Sequence, residues 1–565
     1  MTSNSQELAL SKGLLQSYPS MQDKVPTDST NFKEVEKNIE TEISSITETS
    51  SRTQSVNPFV DPATAQYYRE LYEKTNYECR SAFDPDFEWT ETEEKKVVRK
   101  LNVRVALAAC LMFVALQIDR TNLHQAITDN FLPDLGLNTN DYNTGNTIFY
   151  VCFLLAEIPS QMISKRLGPD IFIPIQICAW SIVAMCQVAL SGKASFYITR
   201  GLIGAIEGGF IADLVLWLSY FFTSKELSIR LSWFWSTLTI TQICIALAAF
   251  GILRLRGVFG YPGWAHLFLW EGLFTLLIGM GSFYMMVPSA LQTKNWMHPK
   301  GWFTDREEKI VVNRILRDDP TKGTMHNRQA ISLKMLWVCL SDYDLWPLYA
   351  IGLLAYIGHF TFGSYFTLMT RELGFNTFDT NLLTIPAYFL YICNLLGITW
   401  LSEKLNDRSY ISLIAPVYGA ITLGVVRFWP GSGIKVWESF ALNTIYYAIP
   451  YIHAILVSWV SRNSNSVRTR SICSAMYNMS VQMGAIIAQN VFREDDRPLY
   501  RRGLLQLWFV TLAAIPLLLL TKFYYVWRNK SKAKIWDMMS EDEKMNYICN
   551  TTDDGNKRLD FRFAH

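Results

Sequence analysis

Charged residues are scarce in this chain. Asp, Glu, Lys and Arg make up 18% of the 565 residues, against roughly 25% in soluble proteins. The formal net charge is only +2, so composition gives no basis for nucleic-acid binding. The ten cysteines include no CxxC pair and no metal-ligand spacing, and we interpret them as small hydrophobic residues rather than as disulfide partners.

Several segments that would indicate other functions are also missing. No phosphate-binding loop and no nucleophile elbow is present, so ATP-driven transport has no support. The sequence therefore predicts neither a cofactor nor an enzyme. The first residues lack the apolar run of a secretory signal peptide, and we expect the first membrane span to act as its own signal anchor.

Long apolar runs dominate the rest of the chain. Half of the residues are hydrophobic and 14% are aromatic, and about twelve runs are long enough to cross a bilayer as helices. This indicates an all-α membrane protein with twelve transmembrane helices in two six-helix bundles, a layout known from transporters. The predicted organisation is a cytosolic, mostly disordered N-terminal tail (1–100), an N-terminal bundle (101–287), a cytosolic connector (288–344), a C-terminal bundle (345–527) and a cytosolic C-terminal tail (528–565).

The distribution of Lys and Arg predicts the orientation, because positive residues concentrate on the cytosolic side of membrane proteins. Basic clusters precede the first span and follow the second, the fourth and the last. Both termini are therefore expected in the cytosol. One loop argues against this orientation, since it would place four arginines outside: Arg493, Arg497, Arg501 and Arg502.

Arg200 and Glu207 lie inside an apolar run, Phe196 to Phe222, that also contains Asp213. A charged side chain at membrane depth costs roughly 2.5–3.5 kcal/mol on insertion scales. The two residues are nearly two helical turns apart and so share one face. We interpret Glu207 as a proton-coupling acid and Arg200 as a structural or gating residue. The alternative is an Arg–Glu pair that only holds helices together.

Asp119 and Arg120 are adjacent charges in the first span. The guanidinium fork of Arg matches carboxylate, sulfonate and phosphate oxygens, so Arg120 is a candidate for binding an anionic substrate. Asp119 would then neutralise it or accept a proton. The alternative is an interfacial pair that extends to the membrane surface.

Polar residues in the second half complete the predicted site. His359, Asn394 and Asn478 are candidates for contact with substrate, because polar groups in membrane spans tend to face cavities. For His359 the alternative is a hydrogen-bonded packing residue, and for Glu271 in the sixth span packing is at least as strongly favoured as transport chemistry. A membrane acyltransferase that uses His359 lacks a companion acid at a suitable spacing.

Several motifs occur in a characteristic order from about Trp89 to Tyr525. They include Asp119-Arg120-Thr121-Asn122-Leu123, Arg200-Gly201-Leu202-Ile203-Gly204-Ala205-Ile206-Glu207-Gly208-Gly209, Trp270-Glu271-Gly272, Arg317-Asp318-Asp319-Pro320-Thr321-Lys322-Gly323 and Asp342-Tyr343-Asp344-Leu345-Trp346-Pro347. In these motifs the chain resembles the major facilitator superfamily and, within it, the fungal allantoate permease family of anion:cation symporters. Two positions depart from the family pattern: Asn102, where Asp is frequent, and Ala212-Asp213, where Pro-Gly is frequent.

The resemblance implies proton-coupled uptake of a small organic anion by alternating access. The anion would be allantoate-like or ureidosuccinate-like, a sulfonate or a vitamin carboxylate. By analogy with the family, Arg120 would contact the anion and Glu207 would couple its movement to protons. The expected partners are the anion, protons and the lipid bilayer, without nucleic acid, and the protein is expected to be a monomer in the plasma membrane. A non-transporting nutrient receptor, signalling through the Ser- and Thr-rich N-terminal tail, is the alternative.

Overall fold

The computed structural model describes residues 57–74, 77–294, 298–323, 337, 340–405, 407–464, 467–540, 543, 544, 547, 551 and 555–565. The predicted disorder before residue 57 lies outside this set. The chain divides into two compact units, Met1–Asp61 and Pro62–His565. Within the described part of the first unit, residues 57–60 contain a turn, and the helices belong to the second unit.

Regular secondary structure in the described residues is entirely helical, which confirms the predicted all-α class. Ten α-helices lie in the described residues that precede the connector. They are α1 (Pro62–Lys74), α2 (Glu91–Leu101), α3 (Leu107–Ala126), α4 (Phe131–Asp134), α5 (Thr139–Leu167), α6 (Pro169–Cys186), α7 (Lys193–Glu207), α8 (Phe210–Ser219), α9 (Ser224–Ile252) and α10 (Gly263–Met285).

In the described residues, one further helix with given bounds lies in the connector and eight lie in the second half. They are α11 (Asp305–Asp318), α12 (Trp346–Leu354), α13 (Ile357–Glu372), α14 (Thr377–Leu405), α15 (Ser409–Phe428), α16 (Val436–Tyr447), α17 (His453–Asn463), α18 (Val467–Ala488) and α19 (Arg501–Trp536).

Nine helical segments of the described chain are long and apolar enough to cross a membrane. Three of the twelve predicted spans are not among them, for two physical reasons. Two of these spans are divided into shorter helices, α12 with α13 and α16 with α17. The third, α18, carries Asn478, Ser480 and Gln482 in its middle, which lowers its hydropathy. A total of twelve crossings therefore stays a prediction.

The two halves pack together along three helix pairs: α9 with α14, α5 with α18, and α3 with α13. Hydrogen bonds between the halves gather at one end of these pairs. Tyr142 donates to the carbonyl of Ser364 at 3.1 Å, and Asn143 donates to the carbonyl of Phe492 at 2.6 Å. Arg371 donates to Asn130 at 3.0 Å. We call this region, where α3, α13 and α18 end and α5 begins, the sealed end.

The connector helix α11 packs near the opposite end of the N-terminal bundle. Buried Arg314 donates to Glu226 at 2.9 Å and to the carbonyl of Phe221 at 2.9 Å. Lys100, in α2, pairs with Glu307 at 2.7 Å. These bonds fix the stretch before α3 and the connector to the end of the bundle where α8 ends and α9 begins.

Candidate functional site

A break between α7 and α8 sets the position of Glu207, which is the last residue of α7. Gly209 has a φ of +81°, and an added Cβ there would lie 2.9 Å from Cβ of Ser160. A Cβ on Gly208 would lie 2.8 Å from Cβ of Ala156. Glycine is the residue that tolerates both the left-handed backbone and the close approach. The glycine pair thus ends α7 against α5 and leaves the Glu207 carboxyl group inside the bundle.

An ion pair joins α3 to α7 at this point. Nε of Arg120 donates to Oε2 of Glu207 at 2.8 Å. The Arg120 side chain keeps 19% of its surface exposed, whereas the Glu207 side chain has none. The two residues predicted to bind the anion and to couple protons are therefore direct partners, although 87 positions separate them.

Arg200 supplies a second buried guanidinium near the same carboxylate. It donates to Oδ1 of Asn146 at 3.0 Å and lies 4.5 Å from the ring centre of Phe149. Arg120 lies 4.7 Å from the ring centre of Phe153. Aromatic faces attract cations through the ring quadrupole, so one face of α5 supports both arginines. Two cationic groups thus surround one carboxylate.

Several polar atoms of this site have no hydrogen-bond partner among the described residues. They are Nη2 of Arg120, Nε and Nη1 of Arg200, and Oε1 of Glu207, all of them buried. Buried polar groups in proteins are normally satisfied by protein, water or ligand. The site therefore has three nitrogen atoms of Arg120 and Arg200 that can donate hydrogen bonds but lack an acceptor in the described part of the chain, beside one carboxylate oxygen of Glu207. Such an excess of donors suits the binding of a small anion.

Asp119 faces another part of the interior, although it is adjacent to Arg120 in sequence. Its side chain is fully buried and lies near Trp180 and Thr275, within electrostatic range of Glu207. Glu271 is also buried and lies within electrostatic range of Asp119. The sequence alone favoured packing for Glu271 at least as strongly as transport chemistry, and no motif connected it with Asp119.

His359 belongs to an aromatic cluster in the second half. Its ring stacks on Tyr391, with centres 5.1 Å apart and planes at 14°, and it lies 5.6 Å from both Tyr447 and Tyr451. A cavity of about 30 Å³ borders His359 and Tyr451, which is enough space for a water molecule.

The two predicted asparagines lie apart from the ion pair. Asn394 donates to the carbonyl of Ala448 at 2.5 Å, so it satisfies the backbone where α16 ends. Asn478 lies exposed on α18. Asp213, on α8, is buried beside Ser164. None of these three residues contributes a described hydrogen bond to Arg120 or Glu207.

Tyr150 is a site residue that sequence reasoning did not identify. It lies within electrostatic range of Arg120, Arg200 and Glu207, and also of Tyr451 in the second half. Asn146, Phe149, Tyr150 and Phe153 follow one another at helical spacing on α5, and this pattern was the available signal.

In the described residues, no group of three or more His, Cys, Asp or Glu side chains is arranged to hold a metal ion.

Comparisons with known proteins agree with this architecture. The model of the Major Facilitator Superfamily matches residues 106–489. An uncharacterized transporter of Saccharomyces cerevisiae is 44% identical over 513 residues, covering 90% of this chain and 94% of its own length. The major facilitator-type transporter hxnP of Emericella nidulans is 26% identical over 423 residues, covering 73% of this chain and 82% of its own.

Solved structures show the same fold at low sequence identity. A bacterial homolog of the human lysosomal transporter Spinster matches with a TM-score of 0.54 and 13% identity, covering 77% of this chain and 96% of its own. A D-xylose–proton symporter matches with a TM-score of 0.52 and 13% identity, covering 75% and 97%.

Proposed function

Because the chain belongs to the Major Facilitator Superfamily and is a multi-pass membrane transporter, we propose that it is a proton-coupled symporter importing a small organic anion by alternating access. The proposed substrates are allantoate-like or ureidosuccinate-like anions, sulfonates and vitamin carboxylates. We place the protein in the allantoate permease family and in the plasma membrane, as a monomeric carrier without enzymatic activity.

The observation that carries the proposal is the buried ion pair between Arg120 and Glu207. Its Nε–Oε2 distance is 2.8 Å, and Arg200 lies within electrostatic range of the same carboxylate. Removing one partner from a buried ion pair leaves an uncompensated charge, which typically costs about 3–5 kcal/mol. The site therefore needs a counter-charge for Arg120 whenever Glu207 becomes neutral.

This requirement supplies a mechanism for coupling. When Glu207 accepts a proton, it stops compensating Arg120, and a substrate anion takes over that role. The anion's oxygens then accept hydrogen bonds from the unpartnered Nη2 of Arg120 and from the free N–H groups of Arg200. Proton binding and anion binding favour each other, and the linkage is reciprocal. The loaded site holds one added positive and one added negative charge, which lowers the cost of crossing the membrane.

Alternating access requires the sealed end to open in one part of the cycle. On the predicted orientation the sealed end faces outside, so the structure corresponds to a conformation in which the Arg120–Glu207 site is closed toward the outside. Opening would break the bonds from Tyr142 to Ser364 and from Asn143 to Phe492. The return to the sealed form restores them.

The decisive experiment replaces Glu207 with Gln, which keeps the size of the side chain but removes its titration. In proteoliposomes, Glu207→Gln should abolish accumulation of labelled anion driven by a pH gradient. Exchange of labelled for unlabelled anion should persist, because exchange needs no net proton movement.

The matched control is Glu438→Gln, an exposed acid in α16 whose side chain is 55% exposed and paired with Lys435 at 3.7 Å. This variant should accumulate the anion as the natural protein does. If Glu207→Gln still accumulates anion at the full rate with unchanged pH dependence, Glu207 is not the coupling group.

The receptor alternative depends on the N-terminal tail before residue 57, which lies outside the described residues. Uptake into vesicles separates the two functions. A receptor would bind the anion without concentrating it, whereas a symporter would concentrate it against a gradient.

A further inference from the structure

Residues 555–565, which we call the C-terminal strap, lie against the ends of three helices of the second half. The strap contacts the start of α12, the end of α17 and the last part of α19. These contacts include the acidic motif Asp342-Tyr343-Asp344. The proposed transport mechanism assigns no role to this motif.

Charged contacts fix the first part of the strap. Nζ of Lys557 donates to Oδ1 of Asp342 at 2.8 Å and to Oδ2 of Asp344 at 2.6 Å. Arg528 adds two bonds to Asp344, each 3.0 Å long. Although burial opposes ionisation, bonds from Lys557, Tyr524 and Arg528 hold the pKa of Asp344 below its usual value. Asp344 is therefore charged at neutral pH.

An aromatic contact fixes the second part. Phe563 is buried, and its ring stacks on Tyr525 of α19 with centres 5.1 Å apart and planes at 17°. Asn529 exchanges two hydrogen bonds with the backbone of Phe563, each 2.8 Å long. The strap is thus held on α19 through side-chain packing and through its backbone.

The last contacts reach α17. The carbonyl of Ala564 accepts a hydrogen bond from Nε1 of Trp459 at 2.7 Å, and the amide of Ala564 donates to Oδ1 of Asn463 at 2.8 Å. Trp459 and Asn463 are fully buried. These bonds attach the end of α17 to a segment that also holds α12 and α19.

Helix α17 is structurally separate from α16. Residues 448–452 between them are not helical, and Pro450 lacks the N–H that a continuous helix would use. One end of α17 therefore begins at a non-helical break in the chain, and its other end is held by the strap. A rotation of α17 about residues 448–452 would break the bonds of Trp459 and Asn463 to Ala564.

We propose that the C-terminal strap is a latch on α17 that favours the conformation in which the sealed end is closed. The inference rests on the proposed alternating access, because the latch matters only if α17 moves during the cycle. A bound segment shifts a conformational equilibrium only by its difference in affinity between the two states. The attachment to α17 supplies that difference here.

The test measures the distance between the two halves at the sealed end. Spin labels are placed on the full-length protein at Thr144→Cys in α5 and Glu438→Cys in α16, two exposed positions, in a background without other cysteines. Lys557→Glu and Phe563→Ala should each raise the ratio of long to short distances by about fivefold or more, the lower range of usual coupling strengths. Combining Asp342→Lys with Lys557→Glu should restore the original distribution.

The matched control is Arg562→Glu, because Arg562 donates to the carbonyls of Leu559 and Phe561 within the strap itself. Its distance distribution should not change. Unchanged distances in both Lys557→Glu and a chain shortened after residue 554 would overturn the latch. Lower yield of folded protein without a shift in distance would also count against it, since that outcome indicates a purely structural role. The readout needs neither substrate nor proton gradient, so it is independent of the coupling tested with Glu207→Gln.

Discussion

At the scale of single residues, the central feature is the ion pair between the fully buried side chain of Glu207 and the partly exposed side chain of Arg120. Arg120 and Glu207 stood out because charge inside an apolar run is costly, and the structure joins them in a 2.8 Å ion pair. Asp119 does not join this ion pair and is instead buried near Trp180 and Thr275. Adjacent residues in a helix point about 100° apart, so a sequence neighbour of Arg120 need not share its cavity. The neighbours of Arg120 and Asp119 lie on other helices, and sequence spacing does not show which helices pack together.

The role of Arg120 leads to a residue-scale prediction. Arg120→Lys keeps the charge but loses the planar fork that binds two oxygens of a carboxylate or sulfonate. The KM for the anion should rise about tenfold or more, consistent with the loss of one charge-assisted hydrogen bond. Uptake at graded anion concentrations measures this effect.

Arg254→Lys is the control, because exposed Arg254 packs on Phe250 away from the ion pair. An unchanged KM in Arg120→Lys would remove Arg120 from the anion site.

At the scale of helices, sequence located the spans better than their interruptions. In the structure the glycines at 208 and 209 end α7 and let it approach α5 closely. The divisions between α12 and α13, and between α16 and α17, were not anticipated. An apolar run gives the length available for crossing, whereas a break depends on tertiary contacts such as the bond from Asn394 to the carbonyl of Ala448.

The helix break leads to an element-scale prediction. Gly209→Ala should destabilise the protein by about 1–3 kcal/mol, because a side chain at φ +81° is strained and the added Cβ meets Ser160 at 2.9 Å. Gly251→Ala in α9 has open space around its Cβ and should be neutral or slightly stabilising, by up to about 1 kcal/mol. Thermal unfolding in detergent compares the two variants. Equal stability of both would mean that the break tolerates a side chain.

At the scale of the whole molecule, two halves were predicted from a polar connector between two groups of spans. The all-helical fold and the superfamily agree with what the sequence predicted. The conformation of the protein, however, does not follow from the sequence. Tyr142 and Ser364, which meet at the sealed end, are 222 positions apart. On the proposed mechanism, pairs of this kind exist in one state of the cycle and separate in another, so a single sequence would support both arrangements and specify neither alone.

The sealed end leads to the last prediction. Asn490 donates to Oγ1 of Thr147 at 2.9 Å across the two halves, so cysteines at both positions in a cysteine-free background should be joined by a short thiol-reactive cross-linker. Cross-linking should stop uptake, because the sealed end can no longer open, and cleavage of the linker should restore it. Each single-cysteine variant, treated identically, should keep its activity. Full uptake by completely cross-linked protein would show that this end does not open during transport.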